Sequence, residues 1–138
     1  MNSSQDPADD VVGLFAAINR RYAQESETAA AVHELTPLQV KALLAAQDPV
    51  PMRRIADHLH AEPSNVTMII DRLEDRGLVE RRPAPGDRRV KLVAATPAGL
   101  AIAADLRARM PFAAAPLARL TTEQRQSLRE LLQLVLNA

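Results

Sequence analysis

"IADHLHAEPSNVTMIIDRLEDRGLVERR", residues 55–82, contains two chain punctuations and one change of hydrophobic period. Ile55, Ala56 and Leu59 recur at helical spacing and predict a short helix over Met52–Leu59. "HAE" interrupts it. Pro63 then opens a longer helix, because a helix start leaves the first N–H groups unpaired and proline lacks one. The apolar face of that helix is Val66, Ile69, Ile70 and Leu73, and Gly77 suits the left-handed residue that ends it. From Leu78 the period shortens: "LVERR" (78–82) and "RVKLVA" (89–94) flank the Pro/Gly-bearing "PAPGD" (83–87), which predicts a strand, a turn and a second strand.

The flanks read as further helices. Thr36-Pro37 with Gln39 forms a capping box, Leu35 and Val40 are spaced as a hydrophobic staple, and a helix follows over Pro37–Ala46 until "QDPVP" stops it. Upstream, Asp6 caps and Pro7 opens a first helix whose Asp9 and Asp10 complement its dipole and whose Val11, Phe15, Ile18 and Tyr22 share a face. Downstream, Thr96-Pro97 starts a fifth helix, and Thr121 with Gln124 starts a sixth carrying Leu128, Leu131, Leu132 and Val135 as one stripe. Between them "RARMPFAAAPLARL" (107–120) places Pro111 and Pro116 where a straight helix would pass. An interior proline removes a hydrogen bond and costs about 3 kcal/mol, so the fifth helix is expected to end near Arg109–Met110 and the Phe112–Leu117 stretch to redirect the chain. The fold class is therefore mainly α with a small β-hairpin: a winged helix-turn-helix with about six helices.

Composition fits one 138-residue domain. Hydrophobic residues make up 47% but aromatics only 2%, and 25 alanines favour closely packed helices over a bulky core. There is no cysteine, hence no disulfide framework and no thiol switch. No apolar run approaches the roughly 18 residues of a membrane span, and the acidic N-terminus lacks the layout of a secretory signal; a soluble cytoplasmic protein without a membrane partner is expected. The net charge is zero but uneven: residues 1–49 carry three basic and seven acidic side chains, residues 50–91 nine and seven, residues 92–138 five and three.

The 55–82 stretch followed by "GDRRVKLVAATPAG" (86–99) resembles the multiple-antibiotic-resistance regulator (MarR) family, in its helix 4, its "DRLEDRGLV" exit, an Asp-x-Arg hairpin tip, and a Leu-bearing strand reaching Thr-x-x-Gly. The similarity is close from Leu35 to Gly99; the flanking helices match in kind. The resemblance implies a homodimeric regulator of transcription, a repressor released by a small ligand of unknown identity, with a DNA-binding lobe over 35–96 and dimerisation helices over 6–31 and 97–138. It also implies that Asp87 braces the wing and that Arg89 enters a minor groove of double-stranded DNA, where a narrow A/T-rich groove attracts guanidinium.

The residues themselves support that assignment. With Val66, Ile70 and Leu73 buried, Ser64, Asn65, Met68, Asp71 and Arg72 fall on the opposite side of helix 4 and Thr67 near the boundary. Ser64, Asn65, Thr67 and Met68 are the candidate base contacts: Asn pairs with adenine in a bidentate way, and a Met or Thr methyl can touch a thymine methyl. The plainer alternative, that Ser64 and Asn65 only start a helix, loses weight inside this scaffold. Arg53, Arg54, Arg72, Arg88 and Lys91 are assigned to phosphates; Arg81 and Arg82 are either strand-edge solubilisers or backbone contacts. Phe15, Leu128, Leu131, Leu132 and Val135 are assigned to the dimer interface.

Catalysis finds little support. His58 and His60, two apart at a helix end, splay and do not converge on a metal, so they and His33 read as surface histidines. Four glycines contain no phosphate-binding or dinucleotide fingerprint, and no serine or histidine sits in a triad context. No enzyme, metal or cofactor is expected. A winged helix used for protein–protein contact is the alternative function, set apart by indifference to DNA.

Overall fold

The computed structural model describes residues 6–138, apart from the side chain of Ala113. The elements run α1 (Pro7–Val32), α2 (Pro37–Ala45), β1 (Val50–Pro51), α3 (Met52–Leu59), α4 (Pro63–Asp75), β2 (Val79–Ala84), β3 (Asp87–Ala95), α5 (Pro97–Ala108), a 3-10 turn (Pro111–Ala113), α6 (Ala115–Ala118) and α7 (Thr122–Leu136). They form two compact units, Ala23–Arg109 and the described residues up to Tyr22 with Met110–Ala138.

In the first unit Val40, Leu43, Ile55, Val66, Ile70, Leu73, Val93 and Leu106 are fully or almost fully removed from solvent and make one aliphatic core. The caps that frame it are those the sequence specifies. Thr36 and Gln39 exchange the two hydrogen bonds of a capping box, and the staple residues Leu35 and Val40 are both buried. Helix α4 ends in a Schellman motif: Gly77 takes φ 72°, its N–H reaches the Glu74 carbonyl at 2.9 Å and the Leu78 N–H reaches the Leu73 carbonyl at 3.0 Å. Helix α1 ends the same way with Glu34 at φ 55° in the glycine position, and the Arg76 guanidinium donates to the His33 and Glu34 carbonyls at 2.8 and 3.0 Å. That bond offsets the cost of a side-chain-bearing residue in the left-handed region.

The sheet departs from the sequence reading. It has three antiparallel strands in the order β1-β3-β2, and β1 lies in the "QDPVP" stretch that was expected only to stop a helix. Val50 pairs with Val93 and Pro51 with Leu92; proline is tolerated because β1 is a two-residue edge, where a missing donor faces no strand. The hairpin is also longer than expected. Pro83, Ala84 and Asp87, read as loop, belong to strands, which leaves Pro85 and Gly86 at the turn with Gly86 at φ 84°.

Helix α5 ends at Ala108, where proline chemistry places the break: Met110 has φ −123° and ψ 55°, outside the helical region, immediately before Pro111. The 3-10 turn and α6 then carry the chain to α7, whose start is a second capping box between Thr121 and Gln124. The Arg125 guanidinium donates to the Leu117 and Leu120 carbonyls at 3.0 and 2.6 Å and pins that corner.

The C-terminal ends of α1 and α5 are joined by a carboxylate. Asp105 accepts from Arg109 Nε at 2.7 Å and lies 2.6 Å from His33 Nε2. The Arg109 hydrogen bond, and after it the His33 one, hold the Asp105 pKa below its ordinary value of 3.8. A carboxylate depressed in the folded state adds stability that is present above its unfolded pKa and lost as pH falls through the folded one. Asp105→Asn is therefore expected to lower the urea midpoint at pH 6 and to narrow the gap between pH 6 and pH 3 relative to wild type, both read from urea unfolding curves.

Candidate nucleic-acid interface

Helix α4 is fixed to the core by Val66, Ile70 and Leu73, and this alone decides what its other side presents. Ser64, Asn65, Thr67, Met68, Asp71 and Arg72 are all exposed, with Met68 at 52%. The Thr67 hydroxyl donates to the Pro63 carbonyl at 3.0 Å, so its hydrogen bond is satisfied within the helix. The N-cap of α4 is Glu62, whose side chain makes no cap bond.

At the hairpin tip the Asp87 carboxylate accepts from the Arg89 backbone N–H at 3.0 Å, closing a small side-chain-to-backbone ring just after the turn. Arg88, Arg89 and Lys91 are exposed on β3. Strand alternation puts Arg89 and Lys91 on one face and Arg88 on the other. The segment therefore spreads its charge to both sides of the ribbon. Arg53 and Arg54 stand exposed in the first turn of α3.

The cations divide into two sets. Among the described residues, the side chains of Arg53, Arg54, Arg72, Arg88, Arg89 and Lys91 form no ion pair or hydrogen bond within the chain, as is also true of Arg20, Lys41, Arg119 and Arg129 on α1, α2 and the C-terminal segment, whereas Arg21, Arg76, Arg81, Arg82, Arg107, Arg109 and Arg125 are engaged. Neither alternative read from the sequence describes Arg81. Its two guanidinium nitrogens bond Glu74 Oε1 at 2.7 Å and Asp71 Oδ1 at 2.5 Å, and its backbone N–H reaches Glu74 Oε2 at 3.2 Å. Partial burial pulls its pKa down, but the Asp71 hydrogen bond and the charges of Glu74 and Asp71 outweigh that and hold it above the ordinary guanidinium value. Arg82 pairs with Glu80 at 3.1 Å. The acidic pair at 71 and 74 was visible in the sequence, but its partner is fixed by where β2 leaves α4, which the spacing does not reveal.

His58 and His60 are exposed, as expected, and His60 ends α3 in the left-handed conformation at φ 51°, whereas His33 is not a surface residue: its ring is partly buried against the Asp105 carboxylate. No group of three or more metal-ligating side chains clusters among the described residues. No described helix is long and apolar enough to cross a membrane. The dimerisation candidates are largely bare in the single chain: Phe15 is 36% exposed, Leu132 42%, Leu131 and Val135 60%, and Leu128 is half-buried.

Residues 35–91 match the model of the MarR family. No curated protein sequence matches the chain. Among solved structures it is similar to CouR of Rhodococcus jostii RHA1, bound there to p-coumaroyl-CoA, with 29% identity, a TM-score of 0.76, and 96% of this chain and 95% of that one covered. A MarR-family transcriptional regulator of Rhodococcus sp. RHA1 is similar at 27% identity and a TM-score of 0.70, with 96% of each chain covered. MarR of E. coli in its apo form is similar at 25% identity and a TM-score of 0.64, covering 89% of this chain and 94% of that one. The family domain spans the helix-turn-helix and most of the hairpin, and the similar structures run most of the chain's length; residues 35–91 are a MarR-family domain, set in a winged helix-turn-helix fold like that of MarR-family transcription regulators.

Proposed function

We propose that this protein is a cytoplasmic, sequence-specific DNA-binding repressor that acts as a homodimer on a pseudo-palindromic operator and is released by a small ligand. The observation that carries this reading is the gathering of six unpaired cations on α3, α4 and the wing strand β3. Those on α3, α4 and β3 are free to meet phosphates, beside an exposed Ser64, Asn65, Thr67 and Met68 on the recognition helix. Ser64 and Asn65 in the first turn of α4 would reach base edges in a major groove, Arg89 the adjacent minor groove, and Arg53, Arg54, Arg72, Arg88 and Lys91 the backbone.

The dimer is supported by apolar side chains with nothing over them. Val11, Phe15 and Ile18 on α1, and Leu131, Leu132 and Val135 on α7, are exposed in the single chain. Two-fold symmetry would match two reading helices to two half-sites. Likeness to CouR, whose ligand is an aromatic acyl thioester, supports an effector with an apolar end. A recess of about 420 Å³ lined by Ile18, Tyr22, Phe112, Pro116 and Leu117 would suit such a group. Without a cysteine, the effector acts by binding one of two dimer states more tightly.

Fragments of the source genome retained by the protein test the reading. A shared motif among them, with an affinity that falls steeply and linearly with the logarithm of salt concentration, is the expected result. Retention of no duplex, together with a tight protein partner, would favour the protein-contact alternative instead.

A further inference from the structure

We propose that Arg81 is a positioning residue for DNA recognition: it struts the wing against the recognition helix and so sets the spacing at which the two grooves are read together. The proposal rests on the DNA-binding reading above.

The sheet narrows from three strands to two on the way to the wing tip. Val50, Val93 and Arg81 form one row of three paired strands, and Pro51, Leu92 and Arg82 the next. Beyond that row β1 ends, and only β2 and β3 continue towards the turn and Asp87–Arg89. A two-stranded ribbon is marginal by itself, and its register slips between Pro83 and Ala84. Any tilt at the base is carried outward over the three residues to Ala84, about 10 Å along the strand. Arg81 stands at that base with two carboxylates of α4 in its grip, Asp71 and Glu74, through three hydrogen bonds of 2.5–3.2 Å.

Those carboxylates belong to the recognition helix. Asp71 follows Met68 by three residues and Glu74 follows Asp71 by three, so the row of candidate base contacts leads directly into the pair that holds the wing. Guanidinium suits this task because its planar fork bridges two acceptors at once, where an ammonium offers a single point charge. The same contact compensates two negative charges on α4. Shielding and positioning make opposite predictions once the acids are neutralised: loss of the two charges alone should strengthen duplex binding, and loss of the strut should weaken discrimination.

The experiment compares wild type, Arg81→Ala, Arg81→Lys and the Asp71→Asn/Glu74→Gln double variant. The duplex is one that wild type selects from a randomised library, and a scrambled duplex of equal length serves as reference. The account expects Arg81→Ala and the double variant each to lose about tenfold in selected-over-scrambled discrimination. Hydroxyl-radical protection by the wing should fade while protection under α4 persists, and thermal midpoints should change little. Arg81→Lys should fall between. Wild-type discrimination and wing protection in the double variant would overturn the strut, and that variant keeps Arg81, so a folding defect in Arg81→Ala does not obscure the outcome. A wild-type protein that selects no duplex at all would instead overturn the DNA-binding reading, and the strut's role with it.

Discussion

Gly99→Ala is expected to destabilise the fold by about 3 kcal/mol, a large effect for one methyl group. A Cβ on Gly99 would stand 2.0 Å from the Leu78 carbonyl oxygen and 3.2 Å from a methyl of Leu43. The oxygen cannot step aside. It accepts the Thr96 backbone N–H at 3.0 Å, while the Thr96 hydroxyl donates to the Gly77 carbonyl at 2.6 Å and accepts the Gly99 N–H at 3.1 Å. The Thr-x-x-Gly sequence is thus a lock between the start of α5 and the point where α4 hands over to β2, and its glycine is required by proximity. In thermal unfolding the midpoint should fall by roughly 10 °C. A fall of less than 2 °C would mean that the α5 start yields to the added methyl, and that the lock is looser than the distances imply.

Arg89→Ala is expected to weaken binding to the selected operator by about 1–3 kcal/mol without altering the thermal midpoint, since the side chain is exposed and forms no ion pair or hydrogen bond within the chain. Its neighbour provides the contrast. Arg88, on the other face of the ribbon, should behave as a phosphate contact: Arg88→Ala lowers affinity by a similar factor for all sequences and reduces the slope of log K against log salt by about one unit. Titrations of both variants at three salt concentrations, on operator and scrambled duplex, separate the two roles. Equal losses of Arg89→Ala on both duplexes would remove it from sequence readout.

Much of this fold is legible because its signals are local. The capping boxes at Thr36/Gln39 and Thr121/Gln124, the staple of Leu35 and Val40, the Gly77 cap and the break before Pro111 each act within a few residues, and the backbone obeys them. What stayed hidden depends on distant partners. Strand β1 has only two residues, Val50 and Pro51, and exists because β3 passes beside them. Thr-x-x-Gly marks Gly99 as part of a motif but not why a glycine is required there, because the oxygen it must clear belongs to Leu78, 21 positions earlier. The same holds at the interface. The exposed face of α4 follows from its apolar face by helical geometry, whereas the fate of Arg81 depends on the angle at which β2 leaves the helix.

The central claim is that two copies of this chain place two recognition helices on one DNA duplex. Hydroxyl-radical footprinting on the operator selected from genomic fragments tests it most directly. The account predicts two equivalent protected patches related by the two-fold axis of the site, with centres about one helical turn, 34–36 Å, apart. A single protected patch bound by one chain, or no selected duplex on which to make the measurement, would contradict it.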